Sequence, residues 1–324
     1  MTERDRALPD FRDIEAAARR LDGLAHRTPV LTSSYFNGVT GAELYFKCEN
    51  FQKVGAFKFR GACNAIGALP AELARRGIVT HSSGNHGQAV ALAAAMNGLK
   101  AVVVMPKDSA QVKLDAVRGY GGEVVLCEPG TANREATVRE LIERHGYHEI
   151  PPYDHPDIIA GQGTAALELL QDVPELDVIM APVGGGGLIS GTAIAARHFN
   201  PAIRVIGAEP ANADDAARSL RSGRIEPAAA TQTVADGLRA TLGVLNFAVI
   251  ERYVDDIVTV SEQAVIDTTR AVWARMKIII EPSCAVPLAA LIEGRYDARS
   301  RKVGIILTGG NVDIDQFVGI SRGG

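Results

Sequence analysis

The chain has 324 residues and a mass of 34.3 kDa, enough for one large domain or two modest ones with a sizeable core. Hydrophobic residues make up 47% and charged residues 22%, a globular balance that excludes a disordered chain. Thirty-four basic residues face 38 acidic ones, and no Lys/Arg stripe is present, so no nucleic-acid partner is expected.

Mean hydropathy is +0.05, yet no apolar run is long enough to cross a bilayer. Residues 1–6 are charged and lack the apolar segment of a signal peptide. Cys48, Cys63, Cys127 and Cys284 form neither a CxxC pair nor a zinc pattern. Reduced thiols in a cytoplasmic protein without a membrane partner are the expectation.

In chain order, the first helix is expected over Phe11–Leu21, with Asp10 as its cap, and the first strand over Glu43–Cys48. Strand signals then fall at 77–81, 101–105 and 123–127, separated by helical patterns at 86–96, 110–118 and 134–144. After Pro151-Pro152 the alternation resumes, with helices at 158–170 and 188–198 and strands at 178–183 and 204–208. The last elements are a strand at 257–260, helices at 263–276 and 282–292, and a strand at 303–307. Strands joined by helices give an α/β fold of parallel-rich sheets covered on both faces. In such folds ligands bind beyond the carboxyl ends of the strands.

Three loops at such places carry chemistry. Gly184-Gly185-Gly186-Gly187 stands between an apolar strand and a helix, where bare backbone and a helix start suit a phosphate. A flexible turn is the other reading. The dinucleotide fingerprint fails, because its third glycine would fall on Ile189, and no Gly-Lys-Ser/Thr of a Walker loop occurs. Ser82-Ser83-Gly84-Asn85-His86-Gly87 offers hydroxyls, an amide and free N–H groups to a carboxylate or phosphate, or simply a well-capped helix. Lys58 lies between Phe57 and Phe59, where desolvation would lower its pKa and make it a nucleophilic amine. A lysine so placed more commonly snorkels to water.

Together with 209–215, Ala235-Asp236-Gly237, Glu281-Pro282-Ser283 and Thr308-Gly309-Gly310-Asn311, these loops make seven ordered motifs across the chain. The sequence resembles the fold-type II pyridoxal-phosphate enzymes, in the branch of serine/threonine dehydratases, serine racemases and 3-hydroxyaspartate dehydratases. The resemblance implies two lobes, a large one of residues 1–50 plus 148–324 and a small mobile one of 51–147, and a homodimer.

It implies that Lys58 carries pyridoxal 5′-phosphate as an internal Schiff base and then acts as the base at Cα. Phe57 would lie on the ring, Asn85 would bond its phenolic oxygen and Thr308 would meet its nitrogen. Gly184, Gly185, Gly186, Gly187 and the Leu188 amide would hold the phosphate. Ser82, Ser83, Asn85 and His86 would grip the substrate carboxylate, Ser83 also facing the cofactor opposite the lysine. Arg134 would take a second carboxylate. Glu209, the Ala213 carbonyl and Asp215 match a site for Mg²⁺ or a similar divalent cation such as Ca²⁺ or Mn²⁺. The implied reaction is dehydration and deamination of a small β-hydroxy amino acid, 3-hydroxyaspartate first and serine or threonine next. An amino-acid racemase on the same scaffold is the alternative.

Overall fold

The computed structural model describes residues 8–82, 84–228 and 232–322. The amino-terminal part builds α1 (Phe11–Leu21), β1 (Val30–Thr32), α2 (Ser34–Thr40), β2 (Glu43–Cys48), α3 (Lys58–Ala68) and α4 (Ala71–Arg75). Then follow β3 (Ile78–His81), α5 (Asn85–Met96), β4 (Ala101–Pro106), α6 (Gln111–Gly119), β5 (Glu123–Cys127), α7 (Thr131–His145) and β6 (His148–Glu149). The next stretch is α8 (Pro156–Asp172), β7 (Val178–Pro182), α9 (Gly187–Phe199), β8 (Arg204–Pro210), α10 (Asp215–Ser222) and α11 (Val244–Tyr253). The carboxy-terminal part is β9 (Asp256–Val260), α12 (Glu262–Met276), α13 (Pro282–Ile292), β10 (Lys302–Leu307) and α14 (Ile314–Arg322).

Two sheets result. The larger has the order β1-β2-β10-β7-β8-β9, parallel except for β1, and the smaller the order β5-β4-β3-β6, all parallel. His148–Glu149 thus pairs with β3 and belongs to the smaller sheet.

The period-2 alternation of strand side chains divides the large core in two. Along β7, Ile179 and Ala181 join α8, α9 and α11 on one face, while Val178 and Met180 join α12 and α13 on the other. Because both faces are covered, β7 reads as one buried apolar run rather than an alternation. The smaller sheet is likewise filled on both sides by valines of β4, Val102 and Val104 on one face and Val103 on the other.

Glycines let two helices seat closely on α8. A Cβ at Gly161 would stand 2.7 Å from the Arg60 carbonyl and from Gly61 Cα. The backbone of α3 is therefore in contact with that of α8, which fixes where α3 begins. Among the described residues no helix is long and apolar enough to cross a membrane. All four cysteines are buried and unpaired, in line with the reduced-thiol expectation.

Candidate active site

Lys58 opens α3, and its position is set by what lies beneath it. Arg60, two residues on, is buried and bonds Glu49 at 2.7 and 2.9 Å, Glu168 at 2.7 and 2.8 Å, and the Thr164 hydroxyl at 3.2 Å. Lys47 pairs with Glu168 at 2.6 Å, and the Thr28 hydroxyl donates to Glu49 at 2.5 Å. This buried network ties α3 to β2 and α8. From the other side, the Phe57 N–H donates to the Thr308 carbonyl at 2.9 Å and the Gly310 N–H to the Gly55 carbonyl at 2.9 Å. The loop before α3 is thereby zipped to the loop after β10.

The Lys58 amine donates to the Pro152 carbonyl at 2.7 Å and stands 5.2 Å from the centre of the Phe57 ring. Burial lowers its pKa to about 8, partly opposed by the charge of Glu281. An amine in this state offers an appreciable neutral fraction near neutral pH, as attack on an aldehyde requires.

The glycine loop follows β7, and α9 begins at its last glycine, so the first-turn N–H groups have no partner within the helix. No side chain fits here. A Cβ on Gly185 would run into the Tyr153 ring, and one on Gly186, at φ +96°, would meet Asn246 Cβ at 2.8 Å. The Thr308 hydroxyl is buried without a hydrogen-bond partner among the described residues, which fits a partner supplied by a ligand. A lysine of lowered pKa, a loop of bare backbone at a helix start and an orphaned hydroxyl are together a donor set suited to pyridoxal phosphate.

Asn85 heads α5 and donates to both oxygens of Glu281 at 3.0 Å, while its own carbonyl accepts from Asn311 at 2.9 Å. Glu281 is buried, and burial pushes its pKa up to about 7 against the pull of Asn85 and Lys58. Ser82 is half-buried and its hydroxyl accepts from the Gly84 N–H at 3.2 Å. Ser83 lies outside the described residues. His86 is buried, bonds the Ile150 carbonyl through Nε2 at 3.0 Å and is held neutral by burial, its pKa lowered to about 3. A neutral ring here brings no positive charge to a carboxylate, so a helix start such as that of α5 is the group at this end suited to an anion. Arg134 lies in the first turn of α7, half-buried, with Nη2 on the Thr131 hydroxyl at 2.9 Å and a buried Nε without a partner. Its charge bears on His81, just before Ser82, and on Tyr153, beside the glycine loop.

Glu209 closes β8 and accepts from the Ala216 and Ala217 N–H groups at 3.2 and 2.8 Å. Asp215 opens α10, buried, and accepts from Leu242 N–H at 3.3 Å. Burial, and for Glu209 also the neighbouring Asp215, raises both carboxyl pKa values. Two buried acids with mutual repulsion are a chemistry that a cation would relieve. No cluster of three or more His, Cys, Asp or Glu side chains arranged for a metal occurs among the described residues, so such a site would rest on two carboxylates and the Ala213 carbonyl.

The sequence reading gave no roles to Glu281, Asn311, Arg60, Pro152, Tyr153, Asp154 or Asn246. Glu281 and Asn311 lay within quoted motifs, whereas the partners of Arg60 are 11 and 108 residues away and leave no local pattern. His155 caps α8 by accepting from Asp157 N–H at 3.2 Å.

The fold and these groups are those of an α/β enzyme with a place for a bound cofactor. The profile of the family described as pyridoxal-phosphate dependent enzyme matches residues 21–309, and the chain belongs to that family. It is similar to a serine racemase of Dictyostelium discoideum, 49% identical over 95% of this chain and 96% of that one. It is also similar to a beta-hydroxyaspartate dehydratase of Paracoccus denitrificans, 45% identical over 96% and 98% of the two chains. The structure of maize serine racemase superposes with a TM-score of 0.94 at 43% identity, covering 98% of each chain.

Proposed function

We propose that the protein eliminates water from 3-hydroxyaspartate to release an enamine, which tautomerises to an imine and takes up water to give oxaloacetate and ammonia, with serine and threonine as lesser substrates. The observation that carries the dicarboxylate is Arg134, whose buried, unpartnered Nε and whose field at Tyr153 and His81 suit a second carboxylate in the cleft. The dehydratase relative supports the same substrate class.

Pyridoxal phosphate, when bound, supplies an electron sink that makes the substrate's Cα proton removable. Lys58 would hold the cofactor's aldehyde and would be the base that takes that proton. A base of pKa about 8 is matched to the task near neutral pH. Phe57 would cover a face of the ring, Asn85 would give up one of its two bonds to Glu281 to donate to the phenolic oxygen, and the Thr308 hydroxyl would meet the ring nitrogen. A neutral hydroxyl at this place would not favour a protonated ring, which would suit loss of the β-hydroxyl over slower reactions. Gly184 to Gly187 and the Leu188 N–H hold the phosphate. Ser82, with the first-turn N–H groups of Asn85 and His86, holds the α-carboxylate.

The smaller lobe, 51–147, would close over the bound substrate and expel water. The ion pair of Lys113 and Asp236, 2.8 Å apart, joins α6 to the loop before α11 and suits a latch for that closure. Glu209, the Ala213 carbonyl and Asp215 would hold Mg²⁺ or a similar cation. The same reading makes the protein a cytoplasmic homodimer, which size-exclusion chromatography with light scattering would test.

Racemisation is the second reading, favoured by the serine racemase relative, and Ser83 would then return the proton from the opposite face. The deciding experiment takes holoprotein reduced with borohydride and digested, together with assays of ammonia, keto acid and enantiomers. An adduct on Lys58 with oxaloacetate and ammonia released together supports the proposal. Inversion without ammonia reverses the order of the two readings, and an adduct elsewhere, or none, removes both.

A further inference from the structure

We infer that Asn246 is a positioning residue for the phosphate cup, acting on the orientation of one peptide group in the glycine loop. The inference rests on the cofactor reading above.

The Asn246 side chain is buried, and its Nδ2 donates to the Gly185 carbonyl at 2.8 Å. The Gly243 N–H donates to the same carbonyl at 3.2 Å. In a planar trans peptide the carbonyl of one residue and the N–H of the next point in opposite directions. Two donors on the Gly185 carbonyl therefore turn the Gly186 N–H away from α11.

The clamp is needed because of the loop's composition. Four consecutive glycines leave the backbone with the greatest freedom any sequence has, so the Gly185–Gly186 peptide would otherwise turn over at small cost. Gly186 at φ +96° already lies where a side chain is disfavoured, and its α-carbon is packed against Asn246. The Asn246 Oδ1 is buried and has no partner among the described residues. Turning the amide over would set that oxygen against the Gly185 carbonyl, two acceptors face to face. The donor orientation is thus the only workable one.

Asn246 is itself held. It sits in the first turn of α11, where the N–H groups of Val244, Leu245 and Asn246 all reach the Asp154 carboxylate, at 3.0, 3.0 and 3.1 Å. The Ser190 hydroxyl donates to the Asn246 carbonyl at 3.3 Å, tying α11 to α9. Residues 152–154 therefore serve three contacts in succession. Pro152 receives Lys58, Tyr153 covers Gly185, and Asp154 holds the helix that aims Asn246.

The test uses apoprotein prepared from the holoprotein and titrated with pyridoxal phosphate or with pyridoxal, which lacks the phosphate. Phosphorus NMR of the phosphate form is the second readout. For N246A and N246D the expected result is at least a tenfold weaker affinity for pyridoxal phosphate, with pyridoxal affinity changed less than twofold. The phosphorus resonance should move toward that of the free cofactor. Should N246A not fold, D154S, which keeps a capping side chain on α11, should show a smaller loss of the same kind.

Unchanged pyridoxal phosphate affinity and phosphorus shift in a folded variant overturn the inference. An equal loss for both ligands overturns it too, since it marks a general defect. A wild-type apoprotein that takes up neither ligand instead overturns the cofactor reading on which the inference stands.

Discussion

The Asn85 amide and the Glu281 carboxylate, 196 residues apart in the chain, meet in two hydrogen bonds of 3.0 Å. The carboxylate decides which way the amide faces, because only the anion accepts at both oxygens. Burial raises Glu281 to about 7, with Asp236 adding to the rise and Asn85, Lys113 and Lys58 opposing it. The carboxyl is therefore protonated below about that pH and anionic above it, so the paired arrangement is lost on acidification. For the wild type, kcat/KM should fall on the acid side of neutrality. Glu281→Gln cannot ionise and should lose its part of that limb, leaving the shallower fall that protonation of Lys58 causes, with kcat/KM about tenfold lower at alkaline pH, the order expected for losing a hydrogen bond to a charged group. An unaltered acid limb in the variant would assign it to another group.

Arg134 tests the substrate class. A charge-assisted fork on a second carboxylate is worth roughly 1.5–3 kcal/mol, so Arg134→Ala should lower kcat/KM for 3-hydroxyaspartate by about 10- to 100-fold. Serine has no such carboxylate and should lose little. Arg134→Lys should fall between them, since an ammonium keeps the charge but not the fork. Equal losses for both substrates would remove the second-carboxylate role.

The alternation of strands and helices was legible because each apolar run is bounded by a strong punctuator, as at Val183 before four glycines. The Lys58 loop and the glycine loop could be found because unusual residues are crowded there. The helix that Lys58 opens could not. Its sequence from Lys58 to Ala68 holds two glycines and little amphipathic pattern, and it is a helix because Gly61 fits against α8. α11 and the short β6 were missed for a related reason, being fixed by packing rather than by pattern, whereas α10 is amphipathic and was missed although its pattern is there. The Asp154 cap of α11 lies about 90 residues upstream of the helix it starts. Sequence spacing records local geometry, whereas the second layer around this site is assembled across the fold.

The buried acids Glu209 and Asp215 should respond to divalent cations. A ligand that binds only the folded state stabilises it by RT ln(1 + [L]/Kd), about 2.7 kcal/mol at a hundredfold excess over Kd. Mg²⁺ or Ca²⁺ added to EDTA-treated protein should raise Tm accordingly. Glu209→Gln, which removes one charge and keeps an oxygen, should abolish most of the rise. An equal rise in the variant would locate the cation elsewhere.

Arg60 tests how the site is held in place rather than how it reacts. Its guanidinium is 1% exposed and meets carboxylates from the end of β2 and from α8. Removing it leaves Glu49 buried, with the Thr28 hydroxyl but no cation bonded to it. Breaking a buried pair from one side costs about 3–5 kcal/mol, much more than the pair's net worth. Arg60→Met should therefore lower the unfolding free energy by about that amount in urea denaturation. Glu49→Gln combined with Arg60→Met should cost clearly less than the two single changes added together, because the double variant buries no stranded carboxylate at position 49. Strict additivity would mean that Glu49 and Arg60 are not energetically coupled.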